Sequence, residues 1–243
     1  MEVTERSAFG WGVEGARQAL LGPAYVVGFS LFGIGGLAHA AGYPVGAAAA
    51  STLLMWAGPA QVIFFAGATT NMAWPLVALS VSLSSVRMLP MGIALLPVLR
   101  GRNTKLWQQL LAAHFISITV WVESMRRTPL MERETRLPFY FGFALACILV
   151  TTLFTAAGYS LIDQLPLALA AGLLFLSPMY FVASLTRAAK EKADWLAMAT
   201  GLLLAPVAAQ VFGNGFDLMG LGLIGGTGAW YFGHRHKWRG RGT

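Results

Sequence analysis

The residue whose chemistry stands out most is Arg87, a basic side chain inside a long apolar stretch. A charge at membrane depth costs at least about 2.5 kcal/mol and by default indicates a functional site. Ser80, Ser84 and Met91 share its helical spacing, so one face would place hydroxyl groups beside the guanidinium. A planar fork of donors fits a carboxylate in bidentate fashion. The alternative is a structural arginine that ties helix carbonyls together.

Two prolines lie well inside apolar segments, in the pairs Gly58-Pro59 and Ser177-Pro178. Proline removes a backbone donor and clashes with the preceding turn, so both helices are expected to kink or break there. Unwound backbone at membrane depth is tolerated only where it is buried in protein or lines a cavity. The amino terminus of a half-helix carries free amides and a positive dipole, which suit a carboxylate. A simple kink is equally open.

Two further polar side chains lie inside apolar segments. Gln61, just after Pro59, can both donate and accept, as a zwitterionic ligand needs, although such a residue also serves as a hydrogen bond between helices. His114 is the proton-coupling candidate, and its alternative role is again an interhelical hydrogen bond. The acid nearest to it, Glu123, is expected to pair locally with Arg126 and Arg127.

The composition defines the class of protein. Of the 243 residues, 56% are hydrophobic and 11% are charged, and the mean hydropathy is +0.63. A soluble chain keeps roughly 25% charged residues to face water, so the sequence predicts an all-α integral membrane protein. The bases lie between the apolar segments, where they favour membrane lipid over nucleic acid as a partner. No phosphate-binding loop, metal-ligand spacing or nucleophile elbow occurs, so we expect no enzyme, cofactor or metal.

The positions of these residues depend on the elements that carry them. A bilayer needs about 20 apolar residues per helix, which divides residues 1–243, a single transmembrane domain, into eight segments. They are 18–40, 44–69, 73–98, 106–125, 138–161, 165–186, 194–212 and 216–233. The last two are short and rich in glycine, so a single re-entrant hairpin is the alternative there.

The loop charges orient the chain, because loops rich in Lys and Arg stay cytoplasmic. With eight spans, 13 of the 17 bases lie on the side of both termini, residues 1–17 and the basic tail 234–243. Arg100, Arg102 and Lys105 are exceptions on the opposite side. Making segment two re-entrant brings these three inside but moves at least 11 other bases outside. We therefore expect both termini to be cytoplasmic.

A weak repeat suggests internal duplication, which is common in transporters. The tetrapeptide AAGY occurs at residues 40–43 and again at 156–159, and Pro59 then aligns with Pro178. Chance similarity between apolar segments is an equally open explanation.

The stretches WAGPAQ at 56–61 and SVRMLP at 85–90 resemble the AzlC family of branched-chain amino acid exporters. The family pattern is a small-Gly-small-small-Gln element followed by Asn-x-Arg-His, and the similarity in segment order extends over roughly residues 10–230. Gln61 and Arg87 match its polar residues, whereas Ser85 stands where Asn is usual and Met88 where His is usual. The resemblance implies a secondary exporter of valine, leucine or isoleucine, coupled to protons, that works with a small AzlD-like membrane subunit.

We therefore expect a polytopic helical bundle of seven or eight spans, some broken at proline, in the bacterial inner membrane. Its expected function is export of branched-chain or similar hydrophobic amino acids by alternating access. The alternatives are export of another small carboxylate and a non-transporting scaffold or accessory subunit. The expected substrate-binding residues are Gly58, Pro59, Gln61, Ser84, Ser85, Arg87, Ser177 and Pro178, with His114 as the proton-coupling candidate.

Overall fold

A computed structural model shows a helical protein. It describes residues 7–69, 72–86, 88–166 and 192–212, together with 168, 169, 172, 175, 179, 182, 183, 186, 189, 225–228 and 231. Its helices are α1 Ala8–Leu20, α2 Pro23–Ala40, α3 Val45–Met55, α4 Gly58–Thr69, α5 Trp74–Ser85, α6 Met88–Leu99, α7 Leu106–His114, α8 Ile118–Arg127, α9 Arg133–Leu161 and α10 Lys192–Phe212. Short 3-10 helices cover Thr128–Leu130 and Ile162–Gln164.

The centre of the fold is α9, along which α1 and α2 pack in parallel. Glycines make this close approach possible, because they let two backbones touch. Gly12 of α1 meets Gly142 of α9, and further along α9 Gly158 lies against the backbone of Phe32 of α2. The contacts advance together to Gly36, which packs on Ile162. The end of α2 therefore lies beside the end of α9.

Among the described residues, two helices are long and apolar enough to cross a bilayer, and one bent pair is long and apolar enough for a third crossing if the pair forms a single span. The two are α2, with 18 residues, and α9, with 29 residues. The pair is α5 and α6, which are bent by 45° at their junction. Of the eight predicted segments, those at 18–40, 73–98 and 138–161 correspond to these three, and the segment at 194–212 is helical as α10.

The bend between α5 and α6 corrects the prediction of one continuous helix over 73–98. Pro90 lies in the first turn of α6, where its ring would clash with the carbonyl of Val86 if the helix ran straight through. Ser84 and Ser85 both donate to the carbonyl of Val81, at 3.0 and 2.9 Å. The helical face expected from Ser80 to Met91 is therefore interrupted at the end of α5.

The predicted segment 44–69 is a helical hairpin. The chain breaks at Trp56-Ala57, directly before Gly58-Pro59, which confirms the predicted break. Trp56 takes left-handed dihedrals, φ 36° and ψ 41°, which reverse the chain at a cost of about 1–3 kcal/mol. Pro59 falls in the first turn of α4, where its missing N–H is not needed. The helix then returns towards the start of α3, so that Tyr43 contacts the rings of Phe64 and Phe65.

The predicted segment 106–125 is also a hairpin, so the expectation of one crossing helix there is wrong. Helix α7 ends at His114, and Ser117 begins α8 by accepting a 3.4 Å hydrogen bond from the amide of Val120. Serine is a preferred residue at this position because its hydroxyl satisfies a free helix amide. The apolar length equals that of one span, and no proline or glycine marks the break.

The two ends of this second hairpin lie together, which corrects the predicted side of one loop. Arg136 donates to the carbonyl of Val98 at 2.9 Å, and residues 101–104 share a groove with Arg133 and Glu134. At the other arm, Arg127 donates to Gln18 at 2.9 Å. Arg100, Arg102 and Lys105 thus lie at the same end of the molecule as Arg126, Arg127, Arg133 and Arg136, and the expectation that they lie on opposite sides is wrong.

The two copies of AAGY lie in different local structure. Residues 40–43 end α2 and turn, with Gly42 at φ +75°, whereas 156–159 lie inside α9. In the rest of that alignment, most of the second copy at residues 173–180, including Pro178, falls outside the described residues. The repeat therefore gains no support from the local conformation of its first part.

Candidate functional site

A cavity lies where the tips of the two hairpins meet. It has a volume of about 30 Å³, room for about one or two water molecules, and it opens to the outside on one side. Its lining combines the break between α3 and α4, the start of α8, one face of α2 and the first residue of α6: Val27, Ser30, Leu31, Trp56, Ala57, Gly58, Met88, Ser117, Ile118 and Thr119. The irregular backbone at Trp56-Ala57 and at Ser117 thus lines one partly open cavity.

Three helices begin at this cavity. Gly58 is the first residue of α4, Met88 is the first of α6, and Ile118 is the first of α8. A helix amino terminus carries about half a positive charge and amides without intrahelical acceptors. At the start of α6 the amide of Leu89 already donates to the carbonyl of Val86, at 3.0 Å. The starts of α4 and α8, in the low dielectric of a membrane, are therefore the ends that favour a negatively charged group such as a carboxylate.

Trp56 adds a donor that the fold leaves unused. Its side chain is 3% exposed and lines the cavity, and its buried Nε1 has no hydrogen-bond partner. A buried N–H of this kind is uncommon because the lost hydration is not replaced. Together with the left-handed backbone of the same residue, it indicates a site where a ligand or ordered water supplies the missing acceptor.

Gln61 lies one turn into α4, on the same hairpin as Gly58. It is fully buried, and its Nε2 donates to the hydroxyls of Ser51 and Thr52, at 2.9 and 3.0 Å. Thr52 is in turn bonded to Thr155 of α9, at 3.0 Å. These bonds fix the hairpin to α9. The Oε1 of Gln61 has no partner, so the side chain keeps one free acceptor in the protein interior.

His114 joins the two hairpin tips. Its Nε2 lies 3.1 Å from the carbonyl of Leu53, which is in the last turn of α3 and has no acceptor role within that helix. The imidazole is exposed and also contacts the ring of Phe115. The structure thus shows the interhelical hydrogen bond that the sequence left open beside a role in proton transfer.

The remaining predicted site residues divide into two groups. Ser84 and Ser85 are bonded to their own helix and are not among the residues that line the cavity. Arg87, Ser177 and Pro178 lie outside the described residues, although Arg87 directly precedes Met88, which lines the cavity. Among the described residues, the structure therefore brings Gly58 of the predicted set to the cavity, with Gln61 one turn away.

The charged pair at the far end of α8 is local, as predicted. Glu123 accepts from Arg126 at 2.6 Å and from Arg127 at 2.9 Å. Within the described part of the chain, no group of His, Cys, Asp and Glu side chains is arranged to hold a metal ion.

A family comparison now decides the class of protein. The family model described as AzlC protein matches residues 23–165, more than half of the chain. The chain belongs to the AzlC family. Neither a curated protein nor a solved structure matches it. Membership in AzlC, a transporter-associated family, indicates a function related to membrane transport and a partner of the small-membrane-subunit kind.

The AzlC match begins with α2 and ends just after α9, so it contains every residue that lines the cavity. The sequence pattern found Gly58 and the family's Gln and Arg but missed the contribution of α8. Ser117 carried the available signal, because serine is a common residue at the start of a helix. Val27, Leu31 and Met88 line the cavity because of how the helices pack together, so the sequence of each helix alone does not predict their position there.

Proposed function

We propose that this AzlC protein is a secondary transporter that exports branched-chain or similar hydrophobic amino acids across the bacterial inner membrane, with a small AzlD-like subunit. The observation that carries the proposal is the meeting of the amino termini of α4 and α8 at a cavity with a mostly apolar lining. An amino acid of this class has one carboxylate for the positive helix ends and one aliphatic side chain for the apolar wall.

The proposed site separates the charged and apolar parts of the substrate. The carboxylate lies against the first turns of α4 and α8, with Arg87 as its charged partner and the unused Nε1 of Trp56 as a further donor. The aliphatic side chain packs on Val27, Leu31 and Ile118. Gln61 supports this arrangement, since its free Oε1 can accept from the ammonium group directly or through a water molecule.

Proton coupling is assigned in this proposal to His114. Its bond to the carbonyl of Leu53 joins the two hairpins, so a change in its protonation alters the contact between their tips. Ser84 and Ser85, which directly precede Arg87 in the sequence apart from Val86, are bonded to the end of α5. Ser177 and Pro178 are proposed as further substrate-binding residues. Both termini are cytoplasmic.

Filling the cavity provides the test. Ala57 is 6% exposed and lines the cavity, so Ala57→Leu is expected to displace substrate and to reduce leucine efflux at least about tenfold. Cells are loaded with leucine, valine and isoleucine dipeptides, and amino acid efflux is measured with the partner subunit supplied. Ala68→Leu, the same change near the far end of the adjoining helix α4 and away from the cavity, is the matched control. Undiminished efflux in Ala57→Leu would remove the cavity from the transport pathway, and absence of efflux from the wild type would favour the scaffold alternative.

A further inference from the structure

We propose that α3–α4 and α7–α8 are re-entrant hairpins that enter the bilayer from opposite faces and meet near its midplane, so that their tips form the barrier between two half-channels. This arrangement holds for any transported solute, and only the identity of the solute rests on the function proposed above. The matched region then crosses the membrane three times, through α2, α5–α6 and α9.

The lengths of the four hairpin helices fit half a bilayer. They contain 9 to 12 residues each, which corresponds to about 14–18 Å of helix. The hydrocarbon core is about 30 Å thick, so one such helix reaches only to its middle. Two hairpins placed tip to tip, however, span the whole core.

The open ends of the two hairpins, where the chain enters and leaves each one, lie at opposite ends of α9. The first hairpin leaves and returns at Tyr43, beside the end of α2, where His39 contacts Tyr159 of α9 with 4.8 Å between ring centres. The second leaves and returns beside Arg133 and Arg136, at the start of α9. Tyr159 lies 26 residues after Arg133 on α9, which separates these points by about 39 Å, enough to place them on the two sides of a membrane.

The tips meet between those ends. His114 is bonded to the carbonyl of Leu53, the ring of Trp56 lies 6.4 Å from that of Phe115, and both breaks line the same cavity. The irregular backbone is covered by protein, since Trp56, Ala57, Ile116 and Ser117 are all at most 9% exposed. Burial is the condition under which non-helical backbone is tolerated at membrane depth.

The charges agree with this arrangement and remove the exceptions to the positive-inside rule. Apart from Arg87, residues 7–166 contain eight Lys and Arg side chains, all in the half of the molecule where α9 begins: Arg17, Arg100, Arg102, Lys105, Arg126, Arg127, Arg133 and Arg136. The turns at the other end, residues 41–44 and 162–166, contain none. The end with the bases is therefore the cytoplasmic one. With only one re-entrant hairpin, these Lys and Arg residues would lie on both sides of the membrane, whereas with two hairpins they all lie on one side.

Accessibility of single cysteines tests the arrangement directly. In a Cys147→Ala background, one cysteine is placed at Ala73, Asn103 or Glu132, all exposed loop positions, and a membrane-impermeant maleimide is applied to whole cells and to inside-out vesicles. We expect Ala73 to be labelled from outside and both Asn103 and Glu132 to be labelled only from inside. An eight-span chain gives the reverse for Ala73 and Asn103, and that result would overturn the proposal.

The meeting of the tips has its own measurement. A short bis-maleimide is expected to join Leu53→Cys to His114→Cys in one chain, and to leave a pair at Ala73 and Asn103 unjoined. Absence of the first cross-link, in protein that elutes as a single species, would contradict a tip-to-tip arrangement. Neither readout depends on transport, so a failed efflux experiment and a failed topology remain distinguishable.

Discussion

Cells that carry Arg87→Leu are expected to lose amino acid efflux by a factor on the order of 100, equivalent to about 3 kcal/mol of substrate interaction. The physical reason is electrostatic. The predicted segments 44–69, 73–98 and 106–125 contain a single acidic residue, Glu123. Its carboxylate is already paired with Arg126 and Arg127, so it is not available as a partner for Arg87. In the proposed site the carboxylate of the substrate is its partner, and leucine at this position supplies neither charge nor donors.

Two comparison variants make this result specific. Arg87→Lys keeps the charge but not the bidentate fork, and we expect it to retain part of the efflux. Arg100→Leu removes one exposed base from a loop and is expected to transport as the wild type does. Efflux is measured per amount of membrane-inserted protein. Full efflux in Arg87→Leu would assign this arginine to a structural role.

Replacing Gly158 by Leu is expected to lower the free energy of unfolding by about 3 kcal/mol or more. A side chain at Gly158 would meet the backbone of Phe32, where α9 touches α2. The neighbour is main chain on a long helix, so it cannot rotate away as a side chain would. We expect the variant to be extracted from membranes in low yield and to melt at a clearly lower temperature.

A glycine in open space provides the control for this stability experiment. A side chain at Gly46, on α3, would meet no heavy atom within 4 Å. Gly46→Leu is therefore expected to melt within about 2 °C of the wild type, since exposed substitutions change stability by only about 0.5 kcal/mol. Equal melting temperatures for the two leucine variants would show that α2 and α9 do not pack through Gly158.

Sequence reasoning reached the helical class, the long helix α9 and the break at Gly58-Pro59. These features depend on local quantities, namely apolar length and the chemistry of proline. It predicted one continuous helix through Ser117, where the structure has a break, because two half-helices and one crossing helix have the same apolar length. It placed Lys105 on the wrong side for the same reason, since one misread segment reverses the side of the loop beside it.

The candidate site was only partly visible in the sequence. Gly58 and Gln61 belong to one motif and lie one turn apart, so spacing found both. The opposing surface, from Ser117 to Thr119, is 59 to 61 residues further along than Gly58, and only the packing of the hairpin tips brings it there. Contacts between residues so far apart along the chain leave no periodic pattern in the sequence of either segment.

The most direct test of the central claim compares leucine with leucinamide, which has the same aliphatic side chain but no carboxylate. Purified protein, with its partner subunit, is reconstituted into vesicles loaded with one labelled compound or the other, and efflux is followed under a proton gradient. Carboxylate binding by the helix ends around Gly58 and Ile118 predicts rapid efflux of leucine and, after subtraction of leakage from protein-free vesicles, little efflux of leucinamide. Equal protein-dependent efflux of both compounds would contradict the account.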